Sequence, residues 1–328
     1  MQSTPPKIQK TMASIPQEKE VAEDLSPFFL VYTDGTISRF GEDWVSPPSF
    51  DPVTGVTSKD VIISSDTGVS ARLYLPKLPS PQTKLPLFIY FHGGAFCIGK
   101  ASSTFYHQYL NYLVSEANVV AVSVDYRRPP EDPLPTAYDD AWDVIKRAVG
   151  SLDEWLSSHA DFERVYLGGD SAGANIAYNM AMRAGARGGE VEDLRIEGLV
   201  LLHPCFWGTQ RTESESEVPK FTAVIDRVWP FAHPTSVGND DPLINPLGRG
   251  APRVSTLGCA RALVCVAGKD MLRDRARGYY EALGESGWEG EAEFFASEGE
   301  GHCFFLLGGE SDSAKALMAR IVSFINRR

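Results

Sequence analysis

Three residues of this chain have the types and the order that nucleophilic acyl transfer requires: Ser171 within Gly169-Asp170-Ser171-Ala172-Gly173, then Asp270, then His302. A serine hydroxyl is a weak nucleophile until a base takes its proton. The base in turn needs a carboxylate to fix its tautomer and to stabilise the imidazolium. The pentapeptide alone says little, because about one chain in five of this composition contains such a match by chance. Its flanks say more: Arg164 to Gly168 reads as a short buried strand and Ala174 to Met182 as a helix. A strand-turn-helix corner forces the intervening serine into a strained backbone conformation, and glycines at 169 and 173 let strand and helix approach closely. Ser171 then stands at the first turn of the helix, where the Ala172 amide faces developing negative charge.

Asp270 follows an apolar run at 262–267 and His302 follows one at 291–296, so both are expected at the carboxyl ends of strands beside Ser171. Rival residues have plainer readings. Asp274 falls in the first turn of the next helix, where it serves as N-terminal charge or cap, and Asp240 and Asp241 lie in an irregular stretch. His203 and His233 precede Asp270, while His107 and His159 precede the serine; these four are read as packing or surface residues. His92-Gly93-Gly94-Ala95-Phe96 closes the apolar strand 85–91 upstream, where the second half of an oxyanion hole belongs. Consecutive glycines let backbone amides turn toward a carbonyl oxygen; the plain alternative is a glycine turn ending a strand. His92 is read as structural, holding that loop by hydrogen bonding.

The elements that must position these residues alternate. From residue 85 onward, strands near 85–91, 119–124, 165–167, 196–202, 262–267 and 291–296 alternate with helices near 104–116, 136–149, 174–182, 274–286 and 311–326. This is the pattern of a mostly parallel sheet with helices on both faces. Phe29 to Phe40, Thr57 to Ser64 and Val69 to Leu75 read as an antiparallel lead-in to it. Between Pro204 and Pro252 the rhythm breaks, with seven prolines and four glycines. That insertion (204–252) and the segment 25–55 are the candidates for a cap. Residues 1–24 are expected to form a disordered arm, leaving 25–328 as a single domain. Phe28, Phe29, Phe206, Trp207, Phe221 and Trp229 are candidates to line an apolar cleft under the cap.

Composition excludes several functions. A formal charge of −12 without a basic cluster disfavours nucleic acid and anionic membranes as partners. No apolar run approaches the ~18 residues of a membrane span. The five cysteines lack the spacing of a zinc site, so no metal or cofactor is expected, and Cys303 is read as a buried, inert thiol. The partner expected is a small-molecule ester, in the cytoplasm.

From about Asp24 to its end, the chain resembles plant carboxylesterases of the hormone-sensitive-lipase-like group of α/β-hydrolases. The resemblance is carried by Phe91-His92-Gly93-Gly94, Asp125-Tyr126-Arg127, Pro130-Glu131, Gly169 through Asn175, Asp241-Pro242-Leu243-Ile244-Asn245-Pro246, and Lys269-Asp270 with Leu272-Arg273-Asp274. It implies the α/β-hydrolase fold and a cytosolic esterase with Ser171, Asp270 and His302 as its triad. It also implies that Gly93, Gly94 and Ala172 supply the oxyanion amides. Ala95 departs from the three-glycine form of the loop, narrowing the room beside the oxyanion. Arg128-Pro129 replaces the usual leucine-alanine, and the sequence gives that change no consequence. The same group contains hormone receptors that have lost the histidine, as well as dehydratases and eliminating cyclases that use the same pocket. His302 argues against a receptor, and Ser171 favours ester hydrolysis over elimination.

Overall fold

A computed structural model describes residues 19–150, 153–186, 194–307 and 309–327; most of the expected arm, residues 1–18, lies outside the described residues. In chain order the strands are β1 (Val21–Leu25), β2 (Phe29–Tyr32), β3 (Ile37–Arg39), β4 (Thr57–Ile62), β5 (Ser70–Leu75), β6 (Leu85–Phe91), β7 (Val120–Asp125), β8 (Ala160–Asp170), β9 (Ile196–Leu202), β10 (Cys259–Ala267) and β11 (Glu291–Ser297). The helices are α1 (Thr104–Ala117), α2 (Thr136–Val149), α3 (Glu154–His159), α4 (Ala172–Gly185), α5 (Glu213–Ser216), α6 (Pro219–Ala232), α7 (Arg273–Glu285) and α8 (Asp312–Asn326).

Eight strands form one sheet in the order β11-β10-β9-β8-β6-β7-β5-β4. Only the pairs made by β4 and β5 are antiparallel; all other neighbours are parallel. The central strand β6 is buried along its whole length, as a continuous apolar run covered on both faces must be. Its alternate residues enter different cores. Leu87, Ile89 and Phe91 join Leu167, Leu201 and Val264 in a layer under α2, α4 and α7, while Phe88 and Tyr90 join Tyr166, Val200 and Leu263 under α1 and α8. The expected α/β sheet with helices on both faces is therefore present.

The amino-terminal part differs from the sequence reading. β1, β2 and β3 pair only with one another, in a separate three-stranded antiparallel sheet. Thus Phe29 to Phe40 is not a lead-in to the main sheet, and residues 21–24, expected in the arm, form most of β1. This small sheet packs on the insertion: Phe29 lies 5.1 Å from Phe231, Phe28 6.1 Å from Phe221, and Arg227 donates to the Asp24 carbonyl at 3.0 Å. The insertion is also less irregular than its prolines suggest, because α6 starts with Pro219 at a position that needs no N–H and runs through Pro230. Among the described residues no helix is long and apolar enough to cross a membrane.

Candidate active site

Five adjacent strands end on one edge of the sheet, and each delivers one part of the site. His92-Gly93-Gly94 follows β6, Ser171 follows β8, His203 follows β9, Asp270 follows β10, and His302 follows β11. The carboxyl edge is where a parallel sheet gathers the loops between strand and helix. Ser171 occupies the corner between β8 and α4 with φ 51° and ψ −119°, a conformation costly for a residue with a Cβ. The backbone holds it there: its N–H donates to Leu202 O at 2.9 Å, and its carbonyl accepts from Cys205 at 2.9 Å and Asn175 at 3.1 Å. A Cβ on Gly173 would sit 2.0 Å from Phe91 O, and one on Gly169 would sit 2.4 Å from the same atom.

Asp270 and His302 meet directly, with His302 Nδ1–H donating to Asp270 Oδ2 at 2.6 Å. That bond assigns the proton to Nδ1 and leaves Nε2 unprotonated, able to accept a proton. Asp270 Oδ1 also accepts the Leu272 N–H at 2.9 Å. Burial pushes the Asp270 carboxyl up, but the His302 imidazole beside it outweighs burial and holds it below the usual carboxylate range. For His302, partial desolvation of its ring pulls the imidazolium down, yet the Asp270 carboxylate prevails and raises its pKa above the ordinary histidine value. The Ser171 side chain makes no cap hydrogen bond, and its hydroxyl has no hydrogen-bond partner among the described residues.

The expectation for Gly93 is corrected. Its N–H already donates to the Tyr106 hydroxyl at 2.8 Å and to Asp170 Oδ1 at 3.0 Å, so it is not a free oxyanion donor. By contrast, the N–H groups of Gly94, Ala95 and Ala172 have no partner among the described residues. Gly94 has φ 103° and Ala95 φ 52°, and a tight turn follows in which Cys97 and Ile98 donate to Gly94 O at 3.0 and 2.9 Å. His92 braces the loop: its Nδ1 lies 2.8 Å from Gly93 O, and its ring stacks on Tyr126 at 4.2 Å.

Sequence reasoning passed over two residues at the centre of the site. Asp170 is fully buried, and its carboxylate accepts from Tyr90 at 2.7 Å, Tyr106 at 3.0 Å, the Gly93 amide and the Cys303 thiol at 3.6 Å. Its place beside Ser171 in the pentapeptide was the available signal. His203, assigned to packing or surface, has its Nδ1 2.8 Å from the Cys303 N–H and 3.9 Å from Asp270 Oδ2. Asp274 does fall in the first turn of α7, but it caps another helix: its Oδ2 accepts the Ser214 N–H of α5 at 2.7 Å. Arg128 finds an ion-pair partner in Glu42, which also holds Lys100 at 2.8 Å. Of the six aromatic candidates for a cleft, Phe29, Phe206, Trp207 and Trp229 are core residues, leaving Phe28 and Phe221 nearer the surface.

His203, His302 and Cys303 bring two imidazoles and a thiol within 4.8 Å of one another. The Nδ1 atoms of both imidazoles already have partners, and Cys303 could ligate a metal only as a thiolate. Burial and then the nearby Asp170 push the Cys303 thiol well above its ordinary pKa. The cluster is therefore suited to proton chemistry rather than metal chemistry. A groove of about 940 Å³ between α1 and α8, lined by Tyr112, Leu306 and Met318 among others, contains none of Ser171, Asp270 or His302.

Two outcomes are expected. Gly173→Ala should fail to fold or lose several kcal/mol, because a methyl cannot share space with the Phe91 carbonyl; thermal melting and soluble yield measure this. If His302 is the base, it must be neutral to act, so ester kcat/KM should fall as pH drops through a midpoint above 6.5. Asp270→Asn should move that midpoint to lower pH and cut kcat by roughly 10⁴-fold, measured as a pH-rate profile.

A family profile described as an alpha/beta hydrolase fold matches residues 88–306. The chain is 47% identical over 321 residues to 2-hydroxyisoflavanone dehydratase of Glycyrrhiza echinata, covering 94% of this chain and 97% of that one. It is 43% identical over 310 residues to probable carboxylesterase 2 of Arabidopsis thaliana, covering 94% and 98%. Among solved structures, the hyperthermophilic esterase of the archaeon Pyrobaculum calidifontis superimposes with a TM-score of 0.69 at 27% identity, over 82% of this chain and 84% of that one. The chain belongs to the α/β-hydrolase family, in the group that includes plant carboxylesterases and 2-hydroxyisoflavanone dehydratase.

Proposed function

We propose that this protein is a carboxylesterase that hydrolyses small-molecule esters through an acyl-enzyme on Ser171. The observation that carries the reading is the 2.6 Å bond from His302 Nδ1 to Asp270, which leaves His302 Nε2 free to act as a base, on the same sheet edge as a serine held at φ 51°. His302 takes the Ser171 proton as Oγ attacks the ester carbonyl. The oxyanion that forms is met by the Ala172 amide at the start of α4 and by the loop amides of Gly94 and Ala95. His302 then passes its proton to the leaving alcohol, and water attacks the acyl-enzyme by the same route in reverse. Each oxyanion donor is worth about 3 kcal/mol of barrier. The cytoplasm is the compartment that fits the five free cysteines.

Elimination is a second reading, favoured by the dehydratase relative. It would use His302 as a base on a bound hydroxyflavanone, with Ser171 only donating a hydrogen bond. The two readings differ in covalent chemistry. In the hydrolase, a p-nitrophenyl acetate burst should leave an acetyl group on Ser171 visible by mass spectrometry, and Ser171→Ala should lose at least ~10³-fold in turnover. Unchanged turnover in Ser171→Ala would remove the acyl-enzyme, and turnover of a 2-hydroxyisoflavanone without an adduct would favour elimination.

A further inference from the structure

His203 stands at the end of β9, between the strand ends that carry Ser171 and Asp270, and no step above uses it. It is 1% exposed and adopts φ 48°, with its N–H donating to Cys265 O at 2.9 Å. Its ring is enclosed by Phe304, centroids 5.8 Å apart and nearly parallel, and by Phe305, 5.5 Å away and edge-on. The His302 ring centroid lies 5.8 Å away. The backbone therefore accepts a strained conformation to place this imidazole.

The contact that matters is at Nδ1, which accepts the backbone N–H of Cys303 at 2.8 Å. That N–H belongs to the peptide joining His302 to Cys303, so the bond fixes the plane from which the His302 side chain departs. Cys303 is itself left-handed, with φ 50°. Besides turn bonds within the loop itself, Phe304 N–H to Gly301 O at 3.3 Å and Leu306 N–H to Cys303 O at 3.1 Å among them, it is tied to the rest of the fold by Lys269 N–H to Glu300 O at 2.8 Å, the Cys303 thiol to Asp170 at 3.6 Å and the His302–Asp270 bond. His302 meanwhile has a side chain 38% exposed, so packing alone does not fix it.

An imidazole can accept at Nδ1 only while that nitrogen is unprotonated. The proton of the neutral ring then sits on Nε2, which is buried without a partner. Burial, against the pull of Asp270 and with His302 adding to it, drives the His203 pKa down to about 3. The acceptor is thus kept at any pH where His302 works.

We infer that His203 is a positioning residue for His302, its Nδ1 holding the Cys303 amide so that the His302 imidazole stays in line between Asp270 and Ser171. The inference rests on the hydrolase reading for its effect on rate but not for its geometry. Three substitutions in the full-length protein test it. His203→Asn keeps an acceptor close to the position of Nδ1. His203→Gln carries its amide further out, and His203→Phe keeps the bulk without any acceptor.

Ester turnover should fall about 100-fold in kcat for His203→Gln and His203→Phe with KM within about twofold, while His203→Asn stays within about fivefold of the parent. By proton NMR, the far-downfield His302 Nδ1 proton shared with Asp270 should persist in the parent and His203→Asn and vanish through solvent exchange in the other two. Equal losses in all three variants, or none in any, would overturn the positioning role. If His203→Phe does not fold, the pair His203→Asn and His203→Gln decides the matter alone. If the parent turns over no ester, the hydrolase reading fails, and the NMR signal still decides the role of His203.

Discussion

Asp170 brings four parts of the chain to one buried carboxylate: β6 through Tyr90, the following loop through the Gly93 amide, α1 through Tyr106, and the loop after β11 through Cys303. A carboxylate removed from water is tolerable only where donors surround it, and here both oxygens are shared between two donors each. Leaving any of these donors without a partner costs about 1–3 kcal/mol. The steric fit is as strict as the electrostatic one, since a Cβ on Gly93 would lie 2.4 Å from Asp170 Oδ2. Ser171, the glycine loop and the histidine loop are thereby set relative to one another by the residue just before Ser171.

Environment sorts chemically identical groups into different roles. Burial raises the pKa of Asp170, only partly offset by the hydroxyls of Tyr90 and Tyr106 and by His302, whereas Asp270 is held low by the His302 imidazole. The two histidines diverge in the same way: His302, against Asp270, moves up, while His203, buried with no direct bond to a carboxylate, moves down to about 3. Groups of one type pushed in opposite directions mark the acid-base pair and its supports. His302 is thereby suited to exchange a proton, while His203 holds a fixed tautomer.

Strand order and strand ends were legible, because parallel strands read as apolar runs and the chemical residues follow them directly. That alone puts Ser171, Asp270 and His302 on one edge. Partners across strands were not legible. Whether the Gly93 amide faces substrate or Asp170 depends on a neighbour 77 residues away, and His203 reaches Cys303 across 100 residues. Helix α6 was hidden by Pro219 and Pro230, although Phe221, Val224, Ile225, Val228, Trp229 and Ala232 keep helical spacing. The separate sheet of β1 to β3 was missed because alternation identifies a strand without naming the sheet it joins.

The same logic of attachment divides the material around the site into a fixed part and an adaptable one. Asn175, one turn after Ser171 on α4, donates to Cys205 O at 3.1 Å and Leu243 O at 2.9 Å and accepts from Tyr138 at 2.7 Å. Asn179 adds a bond to Leu243 O at 3.0 Å. Both ends of the insertion are thus bound to the helix that begins at Ser171, and moving them would expose buried amide groups. The small amino-terminal sheet attaches to the loops after β6 and β7 through Arg39, which donates to Cys97 O at 2.7 Å and Pro129 O at 2.9 Å, and to α6 through the buried Phe29 ring and an Arg227 contact that is half open to solvent. Exposed contacts of that kind cost little to rearrange. Changes at the exposed positions of β1 and at the Arg227 contact can therefore alter the cover with little penalty, whereas changes at Leu25, Phe29 or Arg39 disturb buried attachments and changes near Cys205 or Leu243 act on the helix that holds Ser171.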